Sequence, residues 1–83
     1  MDNYLFVFPK ENMKESKELA LAYEIAHALN DLKSIDWHIS CTKKFPESLL
    51  REKLAYVLSK QDIDNPAGYY NSLIQRHGKH SRD

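Results

Sequence analysis

The sequence predicts an all-α fold, a small three- to four-helix bundle with a short extended N-terminal arm. Three observations carry that prediction. Two glycines and three prolines are few for a chain built from many tight turns. Apolar residues recur at three- and four-residue steps, which stacks them on one side of a helix. Helix start and stop signals bracket those periodic stretches. At 83 residues the chain encloses one core, so residues 1–83 read as one helical domain, with 1–10 as an apolar arm and 79–83 as a flexible tail. Apolar residues at 42% and charged residues at 29% describe a globular chain rather than a disordered one. A domain this small buries a modest share of its surface, so a homodimer or a larger protein partner fits it.

Residues 4–8, Tyr-Leu-Phe-Val-Phe, form an apolar run that stops at Pro9. No second strand-like run exists to pair with it, so an arm laid across the helices, or an edge offered to a partner, is expected over a paired strand. The run has only five apolar residues and no basic stretch before it, so neither a signal peptide nor a membrane span is expected. A cytoplasmic location is the default.

From Asn12 onward the pattern turns helical. Leu19, Ala22, Tyr23, Ala26 and Leu29 share a face that Ala20, Leu21, Ile25 and Ala28 widen, and the helix is expected to end within residues 30–33. Glu11, Glu15 and Glu18 lie in or near its first turns, where carboxylates suit the helix dipole. Ser34 is the expected N-cap of a second, shorter helix with Ile35, Trp37, His38, Ile39 and Cys41 on its apolar side. Phe45-Pro46 breaks that helix, because proline disfavours helix at the residue before it. A third helix over residues 47–59 turns Leu49, Leu50, Leu54, Val57 and Leu58 inward, with Phe45 folding back on its first turn. Asn65-Pro66 starts a fourth helix with a cap and a proline at the first position, and Gly78 is its expected end.

Charge is balanced overall but unevenly placed. Residues 1–32 hold three lysines against six acids, whereas residues 33–60 hold six basic residues against three acids. A basic footprint over the whole domain is absent, which counts against strong non-specific nucleic-acid binding. A local basic face remains: Lys43, Lys44, Arg51 and Lys53 gather around the junction of helices two and three, and Arg76 and Lys79 lie near the C-terminus. Aromatic rings beside such a face stack on unpaired bases, and Tyr56, Tyr69 and Tyr70 are the candidates.

Chemistry-bearing motifs are sparse. His38 and Cys41 sit three apart and share a helix face, a spacing open to a base and a nucleophile, but no third orienting group is evident in sequence and core packing accounts for them. His77 and His80 have HxxH spacing without further ligands, and one cysteine, Cys41, makes neither a disulfide nor a thiolate cage. Asp62 and Asp64 read as turn and capping residues. No glycine-rich phosphate loop, GxSxG or HExxH occurs. The expectation is therefore a protein that is not an enzyme and needs no cofactor or metal.

Three segments carry a resemblance. They are Ile25-Ala26-His27-Ala28-Leu29-Asn30-Asp31, Lys43-Lys44-Phe45-Pro46-Glu47-Ser48-Leu49-Leu50, and Asn65-Pro66-Ala67-Gly68-Tyr69-Tyr70-Asn71-Ser72-Leu73-Ile74. The last resembles the Asn-Pro-x-Gly-Tyr-aromatic-x-x-Leu-Ile ending of helical segments in plasmid and phage replication-initiator and DnaD-type primosomal proteins. The middle one is similar to the helix start that often precedes it there. The resemblance implies a small accessory module of a phage or mobile-element replication system. Such a module binds single- or double-stranded DNA weakly through Lys43, Lys44, Arg51, Lys53, Arg76 and Lys79, or sits in a protein–DNA assembly, with an affinity that falls steeply with salt. The rival expectation is an adaptor or inhibitor that docks on a protein partner through Tyr4, Phe6 and Phe8 and the acidic first helix.

Overall fold

The computed structural model describes the backbone of residues 10–81 and the side chains of residues 15–78. Within them the fold is all-α: four helices, α1 (Lys10–Ala28), α2 (Ile35–Lys44), α3 (Glu47–Leu58) and α4 (Pro66–Ser81), and no strand. The arm with Tyr4, Phe6 and Phe8 lies outside the described residues. Helix α1 packs chiefly on α2, and α3 on α4, so the chain forms two helical hairpins that meet on one core. No described helix is long and apolar enough to cross a membrane.

Each boundary has a local cause. Helix α1 ends in a left-handed residue, Asn30 at φ 55°, with Asp31 N–H donating to the Ala26 carbonyl at 2.7 Å and Asn30 N–H to His27 at 3.0 Å. This is a Schellman turn with asparagine at the position glycine usually holds. A 3₁₀ turn, Leu32–Ser34, leads straight into α2. Ser34 does sit at the cap position of α2, but its side chain makes no capping bond. A 3₁₀ bond from the Ile35 N–H to the Leu32 carbonyl joins the turn to the helix.

Phe45 is extended, at φ −123° and ψ 149°, and Pro46 caps α3, whose residues Leu49 and Leu50 donate to the Pro46 carbonyl. At the start of α4, Asn65 Oδ1 accepts from the Gly68 N–H at 3.2 Å, as its capping role predicts. A Cβ on Gly68 would lie 2.6 Å from Asn65 Nδ2, so glycine here makes room for the cap. Gly78 does not end the helix. Helix α4 continues through it to Ser81: Gly78 has no positive φ, and a Cβ there would meet Phe45 Cζ at an ordinary contact distance of 3.4 Å.

The core comprises Leu21, Ile25 and Leu29 of α1, Cys41 of α2, Leu50, Leu54 and Val57 of α3, and Tyr70 and Ile74 of α4, with Trp37, Phe45, Ala67, Tyr69 and Leu73 packed against it. Ala22 and Ala26 are fully buried, as expected of small residues at a close helix approach, but Ala28 is exposed. Full burial of a side chain such as Ile25 or Leu50 contributes about 1.5–3 kcal/mol. The inward stripe of α1 is narrower than the periodicity implies. Leu19 and Tyr23, expected inside, are 45% and 49% exposed. On α3, Leu58 faces solvent and Leu49 is half-buried. These helices are apolar around more of their circumference than the neighbours here can cover.

One polar pair is sealed in this core. His38 is 1% exposed, and its Nε2 lies 3.0 Å from Asp31 Oδ2, which the Asn30 turn delivers to it. Trp37 meets His38 and Tyr70 edge-on, at centroid separations of 5.1 and 6.3 Å.

Candidate nucleic-acid interface

The basic residues singled out in the sequence do not form one surface. On α3 the buried stripe of Leu50, Leu54 and Val57 separates two flanks. One flank faces α1 and carries Arg51; the other faces α4 and carries Lys53, Tyr56 and, just past the helix end, Lys60. Residues three and four apart share a side of a helix, which puts Lys53, Tyr56 and Lys60 together.

On the α1-facing flank the cations are paired with carboxylates. Arg51 Nη1 and Nη2 donate to the two oxygens of Glu24 at 2.9 and 3.0 Å, and Arg51 Nε donates to Glu47 at 2.6 Å. The forked guanidinium suits this bidentate grip. Arg51 holds the Glu24 carboxyl below its ordinary value of 4.5, and the Arg51 guanidinium is itself raised by its bonds to Glu24 and Glu47. Lys43 Nζ reaches Glu18 at 3.4 Å. Lys43 and Lys44 line a cleft of about 400 Å³ against Lys17, Glu18 and Leu21 of α1, with Phe45, Pro46 and Glu47 at its other wall. Its charges are mixed.

On the α4-facing flank the neighbours are rings. Tyr56, 46% exposed, lies beside half-buried Tyr69 with centroids 6.2 Å apart and planes tilted by 31°. Lys60 Nζ stands 4.7 Å from the Tyr56 centroid, within cation–π range. The neighbouring Tyr69 and the Lys60 ammonium lower the Tyr56 phenol, while Tyr56 raises both Tyr69 and Lys60. Lys53 acts on Tyr56 through its charge, and Arg76, two turns along α4 from Tyr69, acts on Tyr69. None of Lys53, Lys60 and Arg76 is salt-bridged to a described carboxylate; Asp62 reaches Lys60 only through its field.

Of the expected set, Lys53 and Arg76 act by their charge on the Tyr56–Tyr69 pair. The structure places Arg51 and Lys43 with the acids of α1, and leaves Lys44 exposed at the cleft. Lys79 belongs to the last turns of α4, beyond the described side chains. Of the three candidate tyrosines, Tyr70 is core, fully buried beside His38. Lys60 was missed because it follows α3 in what reads as a polar connection; its spacing from Lys53 and Tyr56 was the available signal.

The His38–Cys41 pair has an orienting carboxylate after all, in Asp31. Burial nonetheless pushes the Cys41 thiol up to about 11, the reverse of what a nucleophile requires. His77 packs edge-on against Phe45, with centroids 5.9 Å apart. Among the described residues no group of three or more His, Cys, Asp or Glu side chains could hold a metal ion. Comparison of the chain with protein-family models, with curated proteins and with solved structures finds no match.

Proposed function

We propose that this protein is a small non-enzymatic module that contacts nucleic acid through the α4-facing flank of α3, as an accessory of a phage or mobile-element replication system. The observation that carries the reading is the tyrosine pair Tyr56–Tyr69 with Lys53, Lys60 and Arg76 around it, cations that form no salt bridge to a described carboxylate. Rings beside unpaired cations are what bases and phosphates require of a protein surface. The replication setting rests on the resemblance of the three helical segments given above. A formal net charge of zero makes such contact weak, in keeping with an accessory role inside a larger assembly.

The test is fluorescence anisotropy of labelled oligonucleotides at low and then physiological salt. Micromolar binding that Lys60→Glu with Arg76→Glu removes supports the reading. No binding at low salt sinks it.

A second reading has its own observation. Leu19 and Tyr23 stand exposed one turn apart on the outer face of α1, and Leu32 is exposed in the turn that follows α1. An apolar strip on an otherwise acidic helix suits a protein partner. Capture of a partner that Leu19→Ser with Tyr23→Ser abolishes, in the absence of any oligonucleotide binding, would favour this adaptor or inhibitor role.

A further inference from the structure

We infer that the ligand of the α3–α4 flank is single-stranded nucleic acid, its bases stacked on Tyr56 and Tyr69 and its backbone held by Lys53, Lys60 and Arg76. This rests on the nucleic-acid reading above and names the form of nucleic acid that the surface accepts. Three features of the structure separate single strands from duplex.

The first is what is exposed. A duplex reader presents donors on one helix face that enters the major groove. The helix placed to do so is α3, at the α2–α3 corner, and its arginine is occupied: every Arg51 nitrogen donates to Glu24 or Glu47. Glu47 and Glu52 on the same helix repel phosphates. The second feature is the rings themselves. Base pairs in a duplex present their edges and keep their faces stacked, whereas unpaired bases offer a π-face to any aromatic side chain. Tyr56 is half exposed at the surface, and Tyr69 lies beside it at a small interplanar tilt.

The third is where charge sits relative to the rings. Lys60 rests over the Tyr56 ring, a position that an incoming base would take. Its ammonium has a flexible stem and moves aside to a phosphate, so a cation–π contact is exchanged for base stacking plus a charge pair. Lys53 of α3 and Arg76 of α4 act on Tyr56 and Tyr69 through their charge. With at most three phosphates held, affinity comes mainly from stacking. The logarithm of affinity against the logarithm of salt therefore has a slope no steeper than about −2. That is shallower than the steep salt dependence expected from six basic residues acting together.

The experiment measures anisotropy of four labelled probes on the full chain: an oligothymidylate, an oligouridylate, an abasic strand of equal length, and a duplex. Expected is binding of both single strands with the shallow slope, and weaker binding of the abasic strand and the duplex. Tyr56→Leu and Tyr69→Leu keep apolar bulk while removing the π-face. Each is expected to weaken the single strands by between about 5- and 150-fold without changing the salt slope. The thermal melt of each variant confirms that the fold persists, and Tyr56→Phe, which keeps the ring, restores binding if the fold tolerates only an aromatic residue. Duplex binding as tight as single-strand binding, or full binding by both leucine variants, overturns the inference while leaving nucleic-acid contact standing. Absence of binding by every probe removes both. A difference between oligothymidylate and oligouridylate would assign the strand to DNA or RNA within the same class.

Discussion

On the flank of α3 that faces α1, Arg51 lies 2.9 Å from Glu24 and 2.6 Å from Glu47, and the nearby Lys43 reaches Glu18. On the flank that faces α4, Lys53 and Lys60 stand beside Tyr56 and Tyr69, with Arg76 close by. Both flanks are basic when read along the chain, but only the second keeps its field. The difference comes from the partner helix: α1 brings carboxylates to α3, whereas α4 brings rings and another cation. Exposed pairs such as Arg51–Glu24 contribute little stability, since water screens them and two long side chains must be held. Their larger effect is to cancel charge where the sequence alone shows a basic cluster.

The largest expected effect tests whether the two flanks belong to one rigid unit. Leu50 is fully buried in the stripe that divides them. Leu50→Ala is expected to destabilise the protein by about 2–5 kcal/mol. The melting temperature then falls by roughly 10 °C or more, with both flanks lost in one transition followed by circular dichroism. A variant that melts like the parent would show the stripe does not join them.

Next in size is the contrast itself. Lys60→Glu with Arg76→Glu should reduce oligonucleotide affinity at low salt by about tenfold or more, whereas Arg51→Gln should leave it unchanged. Equal losses from both would mean that the ion pairs open on binding and that the flanks are not different.

A smaller effect concerns how α1 is held. Asn30 is left-handed, so Asn30→Ala should cost about 1 kcal/mol by urea unfolding, and Asn30→Gly much less. Equal costs would show that the asparagine side chain, rather than its backbone, matters.

The smallest effect is acid dependence. Because Arg51 lowers the Glu24 carboxyl, the folded state binds that proton less readily than the unfolded state does. The stabilisation is present above the ordinary value of 4.5 and is lost as pH falls through the lowered folded value. The difference in melting temperature between the parent and Glu24→Gln should accordingly shrink on going from neutral pH to well below 4.5.

Much of this protein was legible in its sequence. The all-α class, the Phe45-Pro46 corner and the Asn65-Pro66 start of α4 follow from local rules, because proline geometry and capping act within a few residues and need no neighbour. The four helices were recognisable from the spacing of their apolar residues for the same reason. What the sequence could not decide was which side of an apolar helix meets another helix. Leu19 and Tyr23 fit a helical period as well as Leu21 and Ile25 do, yet only the latter pair is buried. Nor could it show that α4 runs on through Gly78 to Ser81, where Phe45, from a corner more than thirty residues earlier, packs nearby. The same limit applies to the site. Composition and spacing determined that basic and aromatic residues lie on α3 and α4, while the pairing of Arg51 with Glu24, and of Tyr56 with Tyr69, was settled only when the hairpins packed. Local conformation is governed by forces that act along a few bonds; charge cancellation and ring contacts depend on distances across the fold, which tertiary packing alone sets.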